Sequence, residues 1–547
     1  MSRVFCIAAK SGGLPRFGIN LSEFSMARRT FLSTLAAAGL LVSTAAQAQG
    51  VLTVAMTAGD IPVTGGNPDQ GFEGFRFVAL SLYDALVNWD LSSADRPAEI
   101  KPGLATEWKI DPSDHKRWLF TLRDGVKFHD GCPLNADAVV WNFGRFDEKA
   151  PQWNAQQFAL SRAYLPNFAG IEKVDDRTVA LTTKVPSSLF PYEMSFIAIT
   201  SKCRAEALKY DWAAYAMQPS GTGPYRFDRM VPHERLELLP NKEYWDAKRV
   251  PKQDRLVLLP MPEASTRTAA LLSGQVNFVE APSPDALPRL KSAGMRIVTN
   301  KYPHVWAYQL NTEAGPFKDV RVRQAANFAI NRDDVVELLG GVAIPATTPF
   351  PPGTVWEGTA VPYKHDAAKA RALLQAAGCL PCKVTLAIST SGSGQMQPLP
   401  MNELIKSQME DAGFQVTLQV MDWNALLAMS RVPPPAGVDA NNVSRSIQDP
   451  IAGITRFTQK AQWSPNGSNW GHYYTPEMEG LITAAFNEFD TAKRLDILKQ
   501  MNAKMTEDAP FIWVVHDLNP RALSPKVKNF VQAQSWFQDL TPITVDK

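Results

Sequence analysis

Apolar and polar positions along this chain switch repeatedly between a two-residue and a helical period. Residues 52–55 are a short β-rich apolar run followed by a Gly/Pro/Asn loop to Gln70, which predicts a strand, and 75–86 then carry apolar residues at helical spacing. Residues 108–109, 118–123 and 126–129 read as strand pieces around turns at 111–114 and Asp124-Gly125. A helix is predicted over 135–145, capped by Asn135, then a strand at 178–181 and a helix-like apolar stretch after Ser187-Ser188. Strands follow at 235–239 and 255–259, a helix at 263–273 ended by Gly274, and a strand at 276–279.

The second half repeats the alternation. Amphipathic helices are predicted at 320–330 and 332–339. A helix at 367–377 stops at Gly378 before a strand at 383–388, and one at 402–412 stops at Gly413 before a strand at 415–420. A helical pair at 475–489 and 491–507 precedes a late apolar strand at 511–516. Strand–helix alternation with short links predicts α/β domains with mostly parallel sheets. Such sheets place ligands at the carboxyl ends of strands, in a crevice between domains.

The chain has 547 residues, 45% hydrophobic, 20% charged and 10% aromatic, a globular balance whose length favours several domains. Formal net charge is +2, but the first 48 residues hold five basic residues and one acid, leaving 51 basic and 53 acidic residues in the remainder. A near-neutral body without runs of like charge has no field for a nucleic-acid backbone.

Arg28-Arg29-Thr30-Phe31-Leu32, an apolar run to Val42 and Ala46-Gln47-Ala48 read as the charged region, apolar region and small-x-small cleavage site of a signal peptide over 1–48. The run is shorter than the roughly 20 residues a spanning helix needs. The paired arginines fit a twin-arginine signal, with ordinary secretion as the other reading, and Met26 as an alternative start. No cysteine sits at the cleavage site, so the expected product is a periplasmic protein beginning at Gln49 and not a lipoprotein.

Of five cysteines, Cys6 precedes the cleavage site, and Cys132 and Cys203 are isolated in sequence. Cys379-Leu380-Pro381-Cys382 is a C-x-x-C that an oxidising compartment allows to close as a local disulfide. Zinc would need two more ligands and no second pair follows; a redox role would need a thioredoxin-like βαβ context. Inert thiols remain another reading, and a redox or metal role the less favoured one.

Several segments, in order along the chain, resemble the family 5 extracellular solute-binding proteins, the group that holds the dipeptide-, oligopeptide- and nickel-binding components of ABC importers. They are Leu82-Tyr83-Asp84-Ala85-Leu86-Val87, Pro102-Gly103-Leu104-Ala105 with Trp108, and Arg123-Asp124-Gly125-Val126-Lys127-Phe128-His129-Asp130-Gly131. Gly221-Thr222-Gly223-Pro224-Tyr225, Asn241-Lys242-Glu243-Tyr244-Trp245, the run from Val320 to Asn331 and the stretch 369–378 continue the series. The residues in these motifs are turn formers and packing positions, so they speak for scaffold before substrate.

The resemblance implies an α/β fold of the periplasmic binding protein type II kind (cluster C-like): two lobes joined by crossing segments, with a third small inserted domain. Expected boundaries are 49–90, 221–302 and 511–547 for a discontinuous domain I, 91–220 for domain II and 303–510 for domain III. It also implies a small-molecule ligand, peptide-like or another organic solute, a permease and ATPase complex in the inner membrane as partner, a monomeric state, and no enzymatic activity, cofactor, metal or nucleic acid.

Peptide-binding members pair an aspartate of a W-x-x-D-x-x-D-P stretch with the ligand's amino terminus. The matching segment here runs from Val443 to Pro450, and that position aligns with Ser446. A neutral hydroxyl cannot replace a charge-assisted bond to a buried ammonium. The carboxylate-binding arginine of dipeptide binders falls near Gln397-Pro398, again without charge. Arg445 can instead receive an anionic group, or it is surface-exposed or paired with Asp449. Trp423, after Asp422, is a candidate to stack on a ligand or to fill core. Asn469-Trp470 is a further candidate, and Phe72 and Phe75, after a lid-like loop at 65–71, are candidates to line the cleft.

Other classes are weaker. The chain has no G-x-S-x-G, H-E-x-x-H, Walker or G-x-G-x-x-G sequence, although paired-carboxylate chemistry leaves no such signature. Seven scattered histidines argue against a direct nickel site, while a metal chelate would need few protein ligands. A ligand sensor docking on a membrane receptor would share all these features.

Overall fold

The computed structural model describes residues 50–161, 164–359, 363–448 and 451–547. The signal read at 1–48, Cys6, Met26 and Asp449-Pro450 lie outside the described residues. Among the described residues no helix is long and apolar enough to cross a membrane.

Three sheets organise the chain. The first has seven strands in the order Arg296–Val298, Arg521–Leu523, Phe278–Glu280, Val51–Met56, Arg255–Pro260, Arg235–Pro240 and Tyr225–Val231. The second runs Ala343–Pro345, Phe511–Asp517, His304–Leu310, Ala440–Asn442, Cys382–Ser389 and Phe414–Met421, with Arg445–Ser446 also paired to His304–Leu310. A third, antiparallel sheet of Ala105–Asp111, Asp114–Leu122, Thr178–Thr183 and Phe168–Asp175 comes from one stretch of sequence between strands of the first.

The first two sheets are mixed, where alternation predicted mostly parallel ones. Val51–Met56 is parallel to both neighbours, and Cys382–Ser389 to Phe414–Met421 and Ala440–Asn442; their other strand pairs are antiparallel. Helical crossovers such as Pro398–Asp411 make parallel neighbours, whereas hairpins and strands returning from far along the chain do not. The late strand Phe511–Asp517 belongs to the second sheet. It pairs with His304–Leu310, so the chain re-enters the first sheet only at Arg521–Leu523.

Local signals place most helices. Asn135 Oδ1 accepts the Ala138 N–H at 2.9 Å and starts Ala136–Phe143; Asp422 does the same for Ala425 at 3.0 Å and starts Trp423–Met429. The helix predicted over 75–86 ends early, at Leu82, and its Phe75–Ala79 turn is π-helical. Tertiary contacts explain the stop. Gly223 N–H donates to the Leu82 carbonyl at 3.1 Å, and a Cβ on Gly221 would fall 2.0 Å from that oxygen. Residues 126–129 do not extend into a strand either; they form a tight loop with Gly125 and Gly131 at positive φ.

Asp84 gathers the motifs. Its buried carboxylate accepts from Tyr244 Oη at 2.9 Å, Trp245 Nε1 at 2.8 Å and Thr222 Oγ1 at 3.0 Å, and burial raises its pKa. Two motif segments therefore converge on the acid of a third. Two disulfides complete the frame. Cys379 bonds to Cys382, and Cys132 bonds to Cys203 across 71 residues, a pair that isolated cysteines did not signal.

Candidate ligand-binding site

A cavity enclosing about 1070 Å³ of empty space, part of it open to solvent, lies where the three sheet-bearing segments meet. Phe72 and Phe75 enter from the segment after the first strand, Tyr164 from the inserted segment, and Trp536 from the carboxyl-terminal stretch. The rings touch. Centroids are 6.0 Å apart for Phe72–Phe75, 5.4 Å for Phe75–Tyr164 and 5.6 Å for Phe72–Trp536.

The opposite wall belongs to the second sheet and its connections. Trp423 lines the cavity at the start of its helix and also packs with Ala387, Leu426, Val438, Val443 and Trp470. It is therefore both wall and core, 7% exposed. Arg445 and Ser446 reach the same cavity from a short strand in register with Val305 and His304. Arg456 and Phe457 arrive on the turn after the π-helical Ile451–Thr455.

Arg445 is buried, not surface-exposed. One terminal nitrogen donates to Gln309 Oε1 at 2.7 Å and to Asn441 Oδ1 at 3.3 Å. Its guanidinium sits 4.9 Å from the Phe457 ring centre, and Arg456 lies 4.5 Å from that of Tyr164 and 5.4 Å from that of Phe457. Burial, and secondarily the Arg456 charge, lowers the Arg445 pKa to about 9, so the group stays cationic at neutral pH. Pairing with Asp449 falls outside the described residues.

The other predicted residues separate. Trp470 is fully buried behind Trp423 and does not line the cavity. Asn469 is a loop clamp: its side chain donates to the Tyr473 and Gln459 carbonyls at 2.8 and 3.3 Å and accepts the Tyr473 N–H at 3.2 Å. Gln397 lines a second cavity of about 840 Å³ on the far side of Trp536, which lines both. There Glu280 pairs with Arg76 and, at 2.9 Å, with Arg521, while the buried Arg267 donates to the Met261, Pro262, Glu280 and Ala281 backbone carbonyls. Tyr164, Arg456, Phe457 and Trp536 carried no sequence signal, because each reaches the cavity from a segment without a motif.

A mixed α/β body with an aromatic- and arginine-lined cavity is consistent with solute binding, and the comparisons decide the family. The family model described as "Bacterial extracellular solute-binding proteins, family 5 Middle" matches residues 99–486. The chain belongs to this family.

Similar proteins include a heme-binding protein A of Haemophilus influenzae, 28% identical over 88% of this chain and 90% of that one. A dipeptide-binding protein of Escherichia coli K12 is 28% identical over 85% and 90%. Among solved structures, the periplasmic binding protein DppA of Helicobacter pylori in complex with the peptide STSA has a TM-score of 0.80 at 24% identity, covering 91% of this chain and 98% of that one. That likeness shows the shared type II periplasmic binding protein fold. Three of the motif segments meet at Asp84, and none of the residues in those three lines the cavity.

Proposed function

We propose that this chain captures a small organic solute, peptide-like or otherwise, in the first cavity and delivers it to an ABC permease and its ATPase. The observation that carries the reading is the cavity itself, walled by three segments from different sheets, so that a guest touches them all at once. A solute that bridges them favours the closed arrangement through its differential affinity for that state, the only source of such a shift. Similar proteins are named for binding dipeptide, heme and glutathione, which supports a small organic solute.

We read the first sheet, with 49–90, 221–302 and the chain after Asp517, as one lobe, 91–220 as the inserted domain and 303–517 as the other lobe. The protein is exported to the periplasm by the signal at 1–48 and acts as a monomer. We read binding as leaving the solute chemically unchanged, held by the aromatic rings, guanidinium groups and hydroxyls that line the cavity.

Small-angle scattering tests the reading. Protein unfolded and refolded to strip its guest should contract when a cell extract is added back. A radius of gyration indifferent to the extract would contradict lobe closure on a solute.

A further inference from the structure

We propose that the second-lobe wall of this cavity is an anion subsite, in which Arg445 and Arg456 grip a carboxylate or phosphoryl group of the solute. The inference rests on the solute-binding reading and deepens it by naming the ligand's charge.

Both arginines line the cavity and are more than nine-tenths buried. Among the described residues, neither has a carboxylate within ion-pair distance, and the Nε of each has no hydrogen-bond partner. Ser393 and Ser446 line the same cavity, and their buried hydroxyls also lack partners. Four buried donor groups thus converge on one space. Buried polar groups are nearly always satisfied, and an uncompensated buried charge is costly, so this constellation calls for an acceptor from outside.

The geometry suits an anion. Guanidinium faces stacked on Phe457 and Tyr164 leave their in-plane N–H groups to meet a planar carboxylate or a phosphoryl oxygen. The contrast within the molecule is direct: Arg76 and Arg521 beside the second cavity are answered by Glu280, whereas no described lining residue of the first cavity is acidic. The same absence leaves nothing on the described wall to receive a free ammonium. The subsite therefore selects a solute with an acidic end against this wall and an apolar or aromatic body against Phe72, Phe75 and Trp536.

The test is retention from a defined mixture, read by native mass spectrometry. The mixture holds N-acetylated di- and tripeptides as free acids, their carboxyl-terminal amides, sugar phosphates and the parent sugars, with a cell extract added separately. The wild-type protein should retain acids over amides, or phosphates over sugars, by ~30-fold or more, the value of one or two charge-assisted bonds. The two pairs distinguish carboxylate from phosphate. Arg445→Gln and Arg456→Gln should abolish the preference while circular dichroism stays native. Equal retention of neutral and acidic members, a preference that persists in both variants, or a neutral or cationic solute retained from the extract would overturn the subsite and leave solute binding intact. The wild-type comparison holds even if a variant fails to fold. Retention of nothing from either source would sink the solute-binding reading and the subsite with it.

Discussion

Gly392 lies against the face of Trp423: a Cβ at residue 392 would sit 2.3 Å from ring atom Cδ2, and Gly392 has φ +134°. The glycine therefore sets the plane of the indole that forms part of the cavity wall. Gly392→Ala should push the ring aside and weaken solute binding about tenfold or more, with a stability cost on the order of 1–3 kcal/mol from strain and overpacking. Calorimetric titration together with thermal melts checks both numbers.

Trp423→Ala removes the ring altogether. Because Trp423 is wall and core at once, the variant should lose affinity and also about 3 kcal/mol of stability. Trp470→Phe, behind it, should change affinity little. Equal loss of affinity in the two variants would show that the wall is only a packing layer.

The motif hub predicts pure scaffold effects. Asp84→Ala strands the donors of Tyr244, Trp245 and Thr222 and should cost roughly 3 kcal/mol or more, with affinity of the surviving folded protein unchanged. Denaturant titration measures the first and calorimetry the second.

The Cys132–Cys203 bond closes a far longer loop than Cys379–Cys382. Replacing the first pair by serine should destabilise by roughly 2–4 kcal/mol, and replacing the second by clearly less. Free-thiol counts on the unfolded protein verify the pairing.

His516 gives a pH signature. Burial lowers its pKa from 6.5 to about 4, and its Nδ1 lies 2.7 Å from the His304 carbonyl oxygen. The unfolded chain takes up the proton first as pH falls. The stabilisation is thus complete above about pH 6.5 and is lost progressively toward pH 4, amounting to about 3 kcal/mol. His516→Gln should flatten that part of the stability–pH curve.

Much of the scaffold was legible because it is written locally. Asn135 caps the helix it was expected to cap, and Gly274, Gly378 and Gly413 end theirs in the left-handed region or near it. The stop at Leu82 was not legible, since the glycines that enforce it lie some 140 residues away in sequence. The cavity divided the same way. Phe72, Trp423, Arg445 and Ser446 line it; Gln397 serves another cavity, Trp470 packs behind Trp423, and Asn469 clamps a loop. Arg456 and Trp536 reach it only through tertiary placement, which no local pattern encodes.

The most direct test of solute capture is equilibrium dialysis of stripped protein against whatever small molecule co-purifies with it. The account predicts saturable binding of one molecule per chain, weakened in Trp423→Ala and followed by recovery of the molecule with its bonds intact. Absence of saturable binding, or recovery of an altered molecule, would contradict it.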